Sequence, residues 1–141
     1  MKTSCSRFAK CLYFTTNSLA RKVEKIAINI WKSIDLSPSH AYLLLAVIEE
    51  PGIQPTALSD QLQLTPSTIT RLIEKLEKNK LVIRVYDGKM TNVYPTNKSK
   101  SLLPTMQKCM DEFYHQYSEI LGKEDSEKLV EGMARMADKL K

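Results

Sequence analysis

The chain has 141 residues, 26% of them charged and 43% hydrophobic, with a formal net charge of +5. That composition is ordinary for a soluble globular protein, and the length suits one domain with a real core. Three cysteines, an odd number with no Cys-x-x-Cys pair, argue against a disulfide framework and a structural zinc site, and two histidines in separate predicted helices add no metal site. No stretch reaches the apolar length needed to span a bilayer. Lys2, Arg7 and Lys10 interrupt the opening residues too closely for a secretory core, so a cytoplasmic location is expected.

Residues 5 to 34 predict a long amphipathic helix. Phe8, Cys11, Leu12, Thr15, Leu19, Val23, Ile26, Ala27, Ile30, Trp31 and Ile34 recur along one stripe. The helix is also basic, as membrane-surface helices are, but an apolar stripe this long reads better as a core that packs on the rest of the chain and on a second subunit. On that reading Cys11 is a buried small hydrophobe. Ser37-Pro38 caps a second helix, Ala41 to Glu50, whose nearly continuous apolar run from Tyr42 to Val47 predicts burial on most sides. Pro51-Gly52 stops it, Ile53 is expected to add a short strand, and Gln54 or Pro55 opens a third helix.

Thr65 and Pro66 then open a fourth: a hydroxyl to cap the free N–H groups, followed by a proline at the first helical position. Ile69, Leu72, Ile73 and Leu76 fall on one face. The opposite face carries Ser67, Arg71, Glu74 and Lys78, flanked by Thr68, Thr70 and Lys75. Hydroxyls, Arg and Lys are the groups that touch phosphates and base edges in a major groove. The preceding short helix and the Gln63-Leu64-Thr65 turn complete a helix-turn-helix. Leu81 to Val85 is a β-branched run, Asp87-Gly88 signals a hairpin and Thr91 to Thr96 returns, so a wing follows the recognition helix.

These residues resemble the MarR family of bacterial transcriptional regulators over residues 36 to 141. Leu36-Ser37-Pro38, Ala57-Leu58-Ser59, Ser67 to Ile73, Leu76-Glu77-Lys78 and Leu81 to Arg84 carry the resemblance. It implies a winged-helix repressor or activator, dimeric through its two chain ends and often controlled by a small ligand or by oxidation. Two departures stand out. Asn79-Lys80 occupies the junction where the family usually has Gly, so either the cap shifts by one residue or Lys80 bears strain. The wing is about three residues shorter than is usual in the family, and its Asp-x-Arg signature is reduced to Asp87-Gly88-Lys89. Some members sense peroxide through a cysteine near the start of the first helix; Cys11 lies about two residues before that position and Tyr13 nearer to it.

After the wing, Thr96 or Asn97 caps a helix to Leu121, ended by Gly122 and expected to kink at Pro104. A last helix runs from about Asp125, with Leu129, Val130, Met133, Met136 and Leu140 in its stripe. The expected architecture is mainly α with a small β-sheet, in one domain spanning residues 1–141. Residues 36–96 form a winged helix-turn-helix lobe, and residues 5–34 and 97–141 form a helical dimerisation lobe.

Residues 71 to 100 hold eight basic side chains against Glu74, Glu77 and Asp87, a local excess of five. That is the footprint of phosphate contacts. No phosphate-cradling loop, nucleophile elbow or carboxylate pair is present, so the chain is read as a non-enzyme without cofactor or metal. The leading reading is a homodimeric, ligand-responsive repressor that binds double-stranded DNA and does not act at a membrane. Ser67, Thr68, Thr70 and Arg71 face bases, while Lys75, Arg84 and Lys89 hold phosphates. Trp31, Tyr13, His40 and Tyr42 are candidates to line a pocket for a small-molecule effector. The alternatives are a winged-helix protein-interaction module without DNA binding and a cysteine-based redox regulator.

Overall fold

A computed structural model describes all of residues 1–141. It is mainly α-helical with a two-stranded antiparallel sheet, as expected. The helices are α1 (Leu12–Trp31), α2 (Pro38–Glu49), α3 (Pro55–Leu62), α4 (Pro66–Lys78), α5 (Asn97–Leu121) and α6 (Lys123–Lys139); β1 (Val82–Asp87) and β2 (Met90–Pro95) lie between α4 and α5. No helix is long and apolar enough to cross a membrane. Two compact units are present, Met1–Ile30 with Cys109–Lys141, and Trp31–Lys108.

In the 31–108 unit, local chemistry sets each boundary. The Ser37 hydroxyl accepts from the His40 N–H at 3.2 Å, and Pro38 supplies the helical φ that follows. Ala41, Leu43, Leu44, Leu45 and Val47 are buried, so α2 is the central helix of this unit. The left-handed Gln63 turns α3 into α4, and α2, α3 and α4 pack on one another. Trp31 is fully buried and meets the Tyr42 ring edge-on at 6.1 Å.

The wing follows from its turn. Asp87 pairs with Met90, which leaves Gly88-Lys89 as the two-residue loop, one position later than an Asp-Gly centre. Gly88 has φ +61° and Lys89 does not share that sign, the pattern of a type II′ turn with Gly first. Fully buried Val82 and Val93 seat the hairpin, and Gly52 and Ile53 exchange backbone hydrogen bonds of 2.8 and 3.0 Å with Val93. Ile53 thus supplies the expected third strand as a single bridge.

The other unit departs from expectation at its start. The α-helix begins at Leu12, not residue 5; Thr3–Cys5 is a short 3-10 turn, and the Ser6 hydroxyl accepts from the Phe8 N–H at 3.1 Å. Such a side-chain turn competes with helix for the same backbone donors. Past the far end of α1, within the 31–108 unit, Lys32–Ile34 tightens to 3-10 and left-handed Asp35 stops it. Phe8 and Leu12 are exposed in the chain taken singly, and so is Cys11. Cys11 is therefore not a core residue, because it lies before the helix whose stripe was to bury it. In α6, Leu129, Val130, Met133 and Met136 are all exposed.

Candidate nucleic-acid interface

The α4 helix is sharply two-sided. Ile69, Leu72, Ile73 and Leu76 are no more than 8% exposed, which turns Ser67, Arg71, Glu74, Lys75 and Lys78 outward to solvent. The Thr65 hydroxyl caps the helix by accepting from the Thr68 N–H at 3.4 Å. It also lies 2.9 Å from the Thr68 hydroxyl and 3.3 Å from that of Ser67. Arg71 Nη2 donates to Thr68 Oγ1 at 3.4 Å, so a hydroxyl relay from the cap reaches the guanidinium. Thr65, absent from the sequence-based candidates beyond its cap, is the root of this relay. Thr68 is half-buried. The Thr70 hydroxyl is spent on the Pro66 carbonyl at 3.0 Å.

Helical spacing divides the outer face into two flanks. Thr68, Arg71, Lys75 and Lys78 form a cationic side; Thr70, Glu74 and Glu77 form an acidic one. Arg84 on β1 reaches back to the acidic side, with Nη2 2.8 Å from Glu77 Oε1 and Nε 3.4 Å from Oε2. This hydrogen bond and charge hold the Glu77 carboxyl below its ordinary range and raise the Arg84 guanidinium. A partly exposed pair of this kind contributes about 0.2–1 kcal/mol. Burial of each wing valine contributes on the order of 1.5–3 kcal/mol, so apolar packing and not the ion pair seats the wing. Lys89 stands exposed in the hairpin loop.

The junction between α4 and β1 resolves the missing glycine. Lys80 itself takes the left-handed conformation, with φ +62°. Its carbonyl accepts from the Thr96 hydroxyl at 2.8 Å, and Lys98 Nζ donates to the Asn79 carbonyl at 3.0 Å. Thr96 caps α5 in turn by accepting from the Ser99 N–H at 3.2 Å. On α2, burial first and the charge of Lys75 second push the His40 imidazole below its ordinary value of 6.5.

The structure therefore brings Ser67, Thr68, Arg71 and Lys75 onto one exposed surface and puts Lys89 at the wing tip. Arg84 is half-buried and already paired. No group of three or more His, Cys, Asp or Glu side chains is arranged to hold a metal ion.

Residues 34–89 match the sequence model of the MarR family. An uncharacterized HTH-type transcriptional regulator, YybA, of Bacillus subtilis (strain 168) is 27% identical over 93 residues, 64% of this chain. The match spans 62% of that relative's length. Among solved structures, the transcriptional repressor CouR bound to a 23-mer DNA duplex superposes with a TM-score of 0.85 at 18% identity, covering 97% of this chain and 98% of that one. The S. aureus MepR–DNA complex has a TM-score of 0.80 at 19% identity, covering 92% and 98%. CouR bound to p-coumaroyl-CoA has 0.84 at 18%, covering 94% and 96%. At such identities the likeness is one of fold.

Proposed function

We propose, from the match of residues 34–89 to the MarR family model, that this chain is a MarR-type sequence-specific DNA-binding transcriptional regulator, a homodimeric repressor released by a small-molecule effector. One observation carries the reading: the exposed hydroxyl-and-cation surface of α4, with Arg71 oriented by Thr68 over a fully apolar inner face. Ser67 and Arg71 are to read base edges, with Thr68 and Thr70 beside them. Lys75, Lys89 and Arg84 are to hold phosphates. Recognition helices of a dimer then enter successive major grooves about one helical turn apart. The test is selection of bound genomic fragments by the purified protein; recovery of no enriched sequence ends the proposal.

The dimer is supported by apolar side chains left open at both chain ends: Leu12, Ile28, Ile120, Val130, Met133 and Met136 are each more than 45% exposed. Exposed large apolar side chains in such number favour burial against a second chain. Light scattering should return twice the chain mass; a monomer at micromolar concentration refutes it. The effector is supported by CouR, solved with p-coumaroyl-CoA.

A second reading has one observation in its favour. Ile83, Val85, Met90 and Tyr94 lie exposed on one side of the wing, which suits a protein-interaction module. Binding to DNA that weakens steeply with salt favours the regulator; indifference to DNA favours the module.

A further inference from the structure

Arg84 and Glu77 meet fork to fork, at 2.8 and 3.4 Å. Nε and Nη2 are the donors with which a guanidinium grips a phosphate side-on, so they serve either the carboxylate or DNA. Glu74, on the same flank of α4, adds a second negative charge within electrostatic reach of Arg84. Seating the wing does not require the pair, since buried Val82 and Val93 and the backbone bonds of Gly52 and Ile53 do that. The two side chains are 23% and 37% exposed, open enough to exchange partners.

We propose that Glu77 is a positioning residue that withholds Arg84 from DNA in the free protein, so that Arg84 becomes a phosphate contact only by exchanging a carboxylate for a phosphate. The inference rests on the DNA-binding reading and adds to it a restraint on sequence-independent affinity. Every duplex offers phosphates, so the restraint weighs equally on operator and non-operator DNA. Base reading by Arg71 is untouched.

The test is fluorescence anisotropy of the full chain with a duplex of scrambled sequence, at about 50 and about 200 mM salt. Glu77→Gln should bind about three- to fivefold more tightly than wild type at both salt concentrations, the worth of one exposed ion pair, because both proteins make the Arg84 contact once bound and only wild type must break the pair first. In an Arg84→Ala background the same Glu77→Gln change should give less than about a twofold gain, because no guanidinium remains to be released. Weaker binding by Glu77→Gln would make the pair a strut and overturn the inference. An undiminished gain in the Arg84→Ala background would also overturn it, as plain removal of a negative charge. Wild-type protein that binds no duplex at either salt concentration removes the DNA-binding reading itself, and this inference with it.

Discussion

Lys80 occupies the left-handed region between α4 and β1, with φ +62°, and its replacement by glycine isolates what that conformation costs. A β-carbon in this region is unfavourable by about 1–2 kcal/mol. Glycine returns about 0.5–1 kcal/mol of that through the greater freedom of its unfolded chain. Both backbone bonds of residue 80 survive the change: its N–H donates to the Glu77 carbonyl at 3.0 Å and its carbonyl accepts from Thr96 at 2.8 Å. The side chain is exposed, so no packing is lost. Lys80→Gly should therefore be more stable than wild type by about 0.5–1 kcal/mol, or roughly 2–4 °C in Tm for a chain of this size. Lys80→Ala is the control, because it removes the same charge and keeps the β-carbon. Urea denaturation of all three proteins reads the difference. Elsewhere on an exposed surface Ala equals or exceeds Gly, so the order Gly above Ala is diagnostic. Equal stability of the two variants, or Ala above Gly, refutes the argument.

Arg71→Ala should cost on the order of 1–3 kcal/mol on operator DNA and relax the preference at one base position. Lys89→Ala should weaken binding to operator and scrambled duplexes alike and flatten the salt dependence by about one contact. An unchanged operator-to-scramble ratio for Arg71→Ala, measured at two salt concentrations, removes α4 as the reading helix. His40 is held below its ordinary value of 6.5, so its neutral form is favoured by folding. Its contribution to stability is full above that pH and is lost as pH falls through the lowered folded value. Denaturation midpoints from about pH 7 to about pH 5 should therefore fall less steeply for His40→Gln than for wild type. Exposure of Cys11 makes oxidation testable in a direct way. Wild-type DNA affinity should survive peroxide as that of Cys11→Ser does, and loss in wild type alone would establish a redox regulator.

Much of the 31–108 unit is legible in the sequence because its signals are local. Thr65-Pro66, the three- and four-residue apolar spacing of α4, and Ser37-Pro38 each act within a single turn of chain. The start of α1 misleads for the same reason. An apolar periodicity continues through Phe8 and Cys11, while the Ser6 side chain diverts the backbone into a turn that periodicity does not register. The Glu77–Arg84 pair joins residues seven apart across a helix, a left-handed residue and a strand, and no helical or strand spacing rule relates them. Thr96 and Lys98 reach carbonyls sixteen and nineteen residues away. Such bonds follow from the tertiary arrangement alone. The hairpin was legible in kind, but its centre lay one residue off, because Asp-Gly and Gly-Lys both satisfy a two-residue turn and the strand register chooses between them.

Trp31 is the only tryptophan in the chain and belongs to the 31–108 unit, fully buried against the edge of Tyr42. Its emission is thus a native optical label for one unit, while the other contributes helix and no indole. Followed through the same melt without any introduced probe, fluorescence reports on the 31–108 unit alone and far-ultraviolet dichroism on the helices of both units. Coincident curves mean that the two units unfold as one cooperative body. A fluorescence transition separated from the loss of helix means that the 31–108 unit keeps a stability of its own, against which every variant named above can be measured directly.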